Sequence, residues 1–269
     1  FLMTPLLIFT GVPPAVAVAT EANQITASSV SGALAHFRRS GIDFKMGGIL
    51  IVGGGIGAFI GAEIFAYLKS IGQVDILISL AYVFFLGVIG SLMFWESFQG
   101  YLYHAKGKKK KHRKRHPSWI HAWPVKMKFK KSRLVVSIYI PLLIGALVGI
   151  LAAIMGVGGG FIMLPAMIYI LGMPANVVVG TSLMQIVFVT AIVTFLHSVN
   201  TQTVDVLMAL ILLTGGVIGA QFGARMGYKL KGEQFRLLLA SLVLIVCFKM
   251  AFDLFTTPDE LYTITEVLK

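Results

Sequence analysis

Five apolar runs, Met46–Leu68, Val74–Trp95, Leu134–Met155, Val204–Tyr228 and Gln234–Phe255, are each long enough to span about 30 Å of hydrocarbon as a helix. Only 13% of the 269 residues are charged and the mean hydropathy is +0.86. A soluble domain would carry about 25% charged residues, enough to coat a globular surface. This chain cannot coat one, so lipid is its outer solvent. Backbone groups in lipid must be satisfied within the segment, which selects helices. The expected fold class is therefore all-α: a polytopic helical membrane protein, not a soluble domain. The lone cysteine, Cys247, lies in an apolar run and excludes a disulfide framework. It reads as a small buried or lipid-facing residue.

The formal net charge of +12 resembles that of a nucleic-acid binder, but its distribution argues otherwise. Thirteen of the 23 Lys and Arg fall within Lys106–Arg133, where no acidic residue occurs. The other ten are offset by all eleven acidic residues. One loop thus holds the charge. Its GKKKKHRKRH run is followed by Trp119 and Trp123, then KMKFKKSR. Basic side chains there suit anionic lipid headgroups, and the tryptophans suit the bilayer interface. No nucleic-acid-binding motif accompanies them, so no nucleic-acid partner is expected.

Two further apolar stretches, Phe1–Thr10 and Phe161–Leu171, are too short to span. Each leads through a Gly/Pro break into a longer helix, near Pro13–Phe37 and Pro174–Ser198. That pattern suggests broken or re-entrant hairpins. The two stretches also align. Phe1, Met3 and Pro5 fall on Phe161, Met163 and Pro165. After a one-residue gap, Gly11, Pro13, Thr20, Gln24 and His36 fall on Gly172, Pro174, Thr181, Gln185 and His197. A second gap brings Asp43 onto Asp205, and GAFIGA from Gly57 onto GAQFGA from Gly219. Apolar helices do not align Pro, Gln, His and Asp in order by chance. An internal repeat is expected.

Loop charge orients the two halves. Arg38–Lys45 carries three basic residues, while its mate Ser198–Thr203 carries none. Conversely, Lys69–Asp75 is balanced, while its mate holds Lys229, Lys231 and Arg236. Positive loops stay cytoplasmic, so equivalent loops face opposite sides and the repeats are expected to be inverted. The organisation expected is residues 1–95 as the first transmembrane repeat, 96–133 as the cytoplasmic loop, 134–255 as the second repeat and 256–269 as a polar tail. The opening span of the first repeat is expected upstream of Phe1.

Several residues carry candidate chemistry. MGVGGGF, Met155–Phe161, places Gly158, Gly159 and Gly160 before a short helix, where backbone N–H groups can converge on an anion. The competing role is close helix packing. Thr20 and Gln24 share a helix face, as do their mates Thr181 and Gln185, with Ser182 beside them. Such hydroxyls and amides suit a small anion with several oxygens; they also serve as interhelical hydrogen-bond glue. Glu21 sits well inside an apolar helix, where charge is costly and usually functional, which makes it the candidate proton-coupling group. Its mate is Ser182. His36 and His197 end the hairpin helices and read as interfacial caps. Glu63 and Arg225 read as snorkelling residues near helix ends. No spacing resembles a metal motif, and no cofactor is called for.

GVGGGFIMLPAMIYILGMPANVVVGTS, with its companion FLMTPLLIFTGVPPAVAVAT, resembles the signature of the sulfite exporter TauE/SafE family, also called the toluene sulfonate uptake permease family. The resemblance covers the chain except the basic loop and the tail after Thr256. It implies secondary transport of a small sulfur oxyanion or organosulfonate, such as sulfite or sulfoacetate, across a cell membrane, the bacterial inner membrane. A glycine-rich segment before the first hairpin is absent, and the basic loop is unusually long. Two other classes compete: a passive anion channel, and a membrane-embedded enzyme or assembly factor. An enzyme should gather an acid, a base and a nucleophile, whereas this chain offers one intramembrane Glu and distant His residues.

Overall fold

The computed structural model describes residues 2–38, 41–105, 126–129, 131–132, 134–227 and 232–255. The basic loop of 106–125 with its two tryptophans, Lys130, Arg133, Lys229, Lys231 and the tail 256–269 lie outside the described residues. The protein is an all-α polytopic membrane protein. Its helices are α1 (Met3–Phe9), α2 (Pro14–Arg38), α3 (Phe44–Ser70), α4 (Val74–Ala105), α5 (Tyr139–Met155), α6 (Gly160–Pro165), α7 (Ala175–Leu196), α8 (Val206–Gly227) and α9 (Gly232–Phe255). Among the described residues, Phe44–Ser70, Val74–Trp95, Val177–Thr201 and Leu237–Phe255 are long and apolar enough to cross a bilayer.

Local chemistry sets the breaks. Gly11 and its aligned mate Gly172 both adopt left-handed backbone, φ +90° and +73°, and each is followed two residues later by proline. Only glycine takes that conformation freely, and proline then pre-sets the backbone at the start of the next helix. The α6 helix passes at Pro165 into a π-helical turn, Ala166–Ile170, and α7 ends in a second one, His197–Thr201. Asp43 and Asp205 cap α3 and α8 alike, accepting the backbone N–H of Met46 at 3.2 Å and of Met208 at 2.9 Å.

One expectation needs correction. The run Leu134–Met155 is not one helix. Leu134–Ser137 is a strand, β2, paired antiparallel with β1 (Lys126–Phe129) in the register Lys126 to Ser137 and Phe129 to Leu134. Helix α5 begins only at Tyr139. Two of the four residues of LVVS are β-branched valines, and tertiary pairing with KMKF decides its state.

The chain groups into two compact units. Among the described residues, one is drawn from Met3–Ile78 and Lys110–Lys229, the other from Ser79–Lys109 and Leu230–Lys269. In the first, α3 and α5 meet along a glycine seam. A methyl group at Gly57 would stand 1.9 Å from the Ala146 carbonyl, one at Gly53 2.2 Å from Leu142 O, and one at Gly149 2.1 Å from Gly54 O. Backbones this close exclude any side chain, which is how helices gain packing energy where lipid removes the hydrophobic drive. The buried core of this unit joins Met46 and Leu50 of α3, Ile144 and Val148 of α5, Met163 of α6 and Met167 of the π-helical turn that follows it. In the second unit, α4 and α9 pack at Gly87 and Gly90, and the Cys247 thiol donates to the Val83 carbonyl at 3.4 Å.

Candidate functional site

Helices α2 and α7 follow the two breaks and pack against each other. Thr26 Oγ1 lies 2.8 Å from Thr190 Oγ1 between them. Thr190 donates to the Ile186 carbonyl one turn back, so its oxygen is free to accept from Thr26. The Gly156–Gly160 loop closes onto both helices. A methyl at Gly156 would collide with Val18 of α2; one at Gly158 would lie within 3.2 Å of Ile25, Ile186 and Thr190. Ile25 follows Gln24 and Ile186 follows Gln185, so the loop, α2 and α7 converge at the level of the two glutamines.

The aligned polar residues meet equivalent partners in exchange. Thr181 of α7 accepts the backbone N–H of Asp43 at 3.0 Å; Thr20 of α2 accepts that of Asp205 at 3.2 Å. Gln185 Nε2 lies against Gly54 of α3, 3.1 Å from where a methyl would stand. Gln24 Nε2 lies against Gly216 of α8, 2.6 Å from the equivalent point. Gly54 and Gly216 are themselves aligned mates. Each hairpin helix thus uses the same threonine and glutamine to meet the capped helix of the other half.

The hydroxyls differ from the amides in what they have left to offer. Thr181 donates to Val177 O at 2.8 Å while accepting from Asp43, and Ser182 donates to Val179 O at 3.0 Å. Gln185 is fully buried, and among the described residues neither its Nε2 nor its Oε1 has a hydrogen-bond partner. Each such group costs about 1–3 kcal/mol to bury unmade. Glu21 is also buried, and Thr4 Oγ1 of α1 donates to its Oε2. The aligned mates of this pair are Leu164 and Ser182, so the carboxyl contact belongs to the first hairpin alone.

Over residues 1–250 the chain matches the sulfite exporter TauE/SafE family. It belongs to that family. The probable membrane transporter protein YunE of Bacillus subtilis is 26% identical over 265 residues, covering 94% of this chain and 86% of the relative. The probable membrane transporter protein YjnA of the same organism is 24% identical over 254 residues, covering 93% and 90%. No solved structure gives a significant match. This TauE/SafE protein is a multi-pass membrane protein of a transporter family.

Residues that stood aside in the sequence hold central places in the TauE/SafE fold. His197, read as an interfacial cap, does end α7. It is fully buried, its Nε2 2.9 Å from the Ala153 carbonyl, and it meets the Phe65 ring edge-on at 4.5 Å between centroids. Because a carbonyl only accepts, Nε2 carries the proton. Asp43, read only as an aligned mate, is a buried carboxylate that also accepts from Ser132 N at 3.0 Å and Ser132 Oγ at 2.6 Å. An aspartate immediately before an apolar run was a legible helix cap; its bond to Ser132, 89 residues away, was not.

Proposed function

We propose that the protein is a secondary transporter of small sulfur-containing anions of the sulfite, sulfoacetate or sulfonate type, with inverted repeats and proton coupling. The observation that carries this reading is the unpartnered Gln185 amide at the level where α2, α7 and the glycine loop converge. A buried amide without a partner is costly unless a ligand uses it. A small oxyanion offers acceptors to its NH2 group. Gln24, the aligned mate, supplies the equivalent amide from the other half.

Within this reading, Thr20, Thr181 and Ser182 shape the site by fixing the helices, since their hydroxyls already have backbone partners. Gly158, Gly159 and Gly160 let the loop approach both hairpin helices, and their N–H groups are the proposed anion cradle. Three glycines of this loop, Gly156, Gly158 and Gly159, adopt left-handed backbone at φ +71°, +65° and +70°. Glu21 is the proposed proton carrier. A carboxyl that gains and loses a proton while exposed to alternate sides can link anion movement to a gradient. Anionic lipids at Lys106–Arg133 and a cytoplasmic location for that loop complete the proposal.

The test is uptake by proteoliposomes under an imposed pH gradient, with sulfite, thiosulfate, sulfoacetate, taurine and sulfate supplied separately. Accumulation of one sulfur anion above its external concentration is expected. Equilibration without accumulation would point to a channel, and absence of flux for every anion would overturn the substrate class.

A further inference from the structure

We propose that His197 is the positioning residue of the glycine loop: its ring N–H holds the last turn of α5 and so sets where Gly158, Gly159 and Gly160 present their backbone N–H groups. The proposal rests on the transport reading above and adds to it the group that anchors the anion cradle.

The end of α5 shows why an anchor is needed. A helix leaves its last four carbonyls without partners inside it. Gly156, left-handed at φ +71°, turns the chain out of α5 and donates its N–H to Ala152 O at 2.9 Å. The next carbonyl, Ala153 O, takes the Nε2–H of His197 at 2.9 Å, a helix cap supplied from 44 residues away. Four of the five residues 156–160 that follow are glycine. Glycine brings no side chain to hold a loop and loses more backbone freedom than other residues when fixed. The position of the loop therefore comes from its ends. The far end enters α6 through Met163 N–H to Gly159 O at 2.9 Å, and the near end is the turn that His197 holds.

The imidazole is itself fixed. Phe65 of α3 meets it edge-on at 4.5 Å between centroids. Thr201 Oγ1 donates to the His197 carbonyl at 2.9 Å, lies 3.5 Å from Nδ1, and stands 2.7 Å from Thr203 Oγ1, which can donate to it. Lys69 Nζ of α3 donates to the Thr201 carbonyl at 2.6 Å. His197 and Thr201 bound a π-helical turn, an irregularity that recurs at functional sites. A histidine that only fills space needs its shape alone. This one has its ring held from α3 and its N–H aimed at the turn before the cradle, which is how a supporting group locks a binding geometry. Gln185 belongs to α7 as well, so one helix fixes both the unpartnered amide and the loop beside it.

The experiment compares two variants of the full chain. His197→Phe keeps an aromatic ring against Phe65 and removes the donor, whereas His197→Gln places an amide N–H where Nε2 stands. Amide hydrogen exchange of residues 152–163 is followed by mass spectrometry, with Phe44–Ser70 as internal reference, alongside sulfite uptake into proteoliposomes. His197→Phe is expected to accelerate exchange of 152–163 about tenfold and to raise the half-saturating sulfite concentration about tenfold, at an unchanged maximal rate. His197→Gln is expected to return both to within about twofold of the parent. Exchange of 152–163 that is unchanged in His197→Phe, or that His197→Gln does not restore, would overturn the proposal. So would an equal acceleration across Phe44–Ser70, the mark of a merely structural role. If the parent moves no sulfite while exchange of the loop still follows the donor, the substrate class fails and the positioning role stands. Should His197→Phe not fold, His197→Asn takes its place, since its shorter amide stands where Nδ1 stands and does not reach Ala153. Exchange of 152–163 is then expected to be faster in His197→Asn than in His197→Gln, and equal exchange would again overturn the proposal.

Discussion

The backbone N–H of Asp43 donates to Thr181 Oγ1 at 3.0 Å, and so binds the first turn of α3 to α7 across 138 residues of sequence. Its aligned counterpart, Asp205 N–H to Thr20 at 3.2 Å, does the same for α8 and α2. The two ties differ in burial, because Asp43 is buried and Asp205 is exposed. Replacing Thr181 with Val should therefore leave a buried donor unmade and cost about 1–3 kcal/mol. Thr20→Val should cost less, since water can reach the Asp205 end. Thermal unfolding in detergent gives the order, and an equal or reversed order would contradict the burial argument.

Gln185 predicts a split between stability and binding. Gln185→Leu removes two buried polar atoms that have no partner, so the folded protein should be as stable as the parent or more so. Its affinity for the transported anion should fall about 10–100-fold, the loss of one hydrogen bond to a charged ligand. Calorimetric titration and thermal unfolding on one preparation separate the two. Unchanged affinity would return the glutamine to packing.

Gly159 predicts a rescue. Its backbone is left-handed at φ +70°, and a methyl there would stand 2.1 Å from Val148 Cγ1. Gly159→Ala should destabilise through both effects, of which the backbone accounts for about 1–2 kcal/mol. Adding Val148→Ala should recover the part due to the clash and leave the backbone part. If the double variant melts no higher than the single one, the valine is not the obstacle.

Glu21→Gln preserves an acceptor for the Thr4 hydroxyl and removes the titration. The variant should bind and exchange substrate across vesicles while losing acceleration by an imposed pH gradient. Should the gradient drive it as well as the parent, Glu21 is a structural partner of Thr4 and any coupling lies elsewhere.

Orientation is open to labelling. Lys128 and Ser198 are both exposed, on segments that loop charge assigns to opposite sides. In a Cys247→Ser background, Ser198→Cys should react with an impermeant maleimide added outside intact cells. Lys128→Cys should react only after the membrane is opened. Reaction of Lys128→Cys from outside would reverse the assignment.

Elements whose cause is local were legible in the residues alone. A run of apolar residues in lipid has to close its hydrogen bonds within itself, so Met46–Leu68 and Gln234–Phe255 lie within observed helices, α3 and α9. The Gly11 and Gly172 breaks were equally legible, because left-handed backbone followed by proline is written in two residue types. The alignment of Thr20, Gln24 and Asp43 with Thr181, Gln185 and Asp205 named the polar groups, but not which of them met. Tertiary structure decided that Thr181 is occupied by Asp43 N–H while Gln185 has no partner, and that His197 lies inside against Ala153. It also turned Leu134–Ser137 into a strand, against an apolar run that reads as helix. The reason is common to all of these. A strand, a buried histidine and an exchanged hydrogen bond each take much of their stabilisation from residues far along the chain, and periodicity records only the near part.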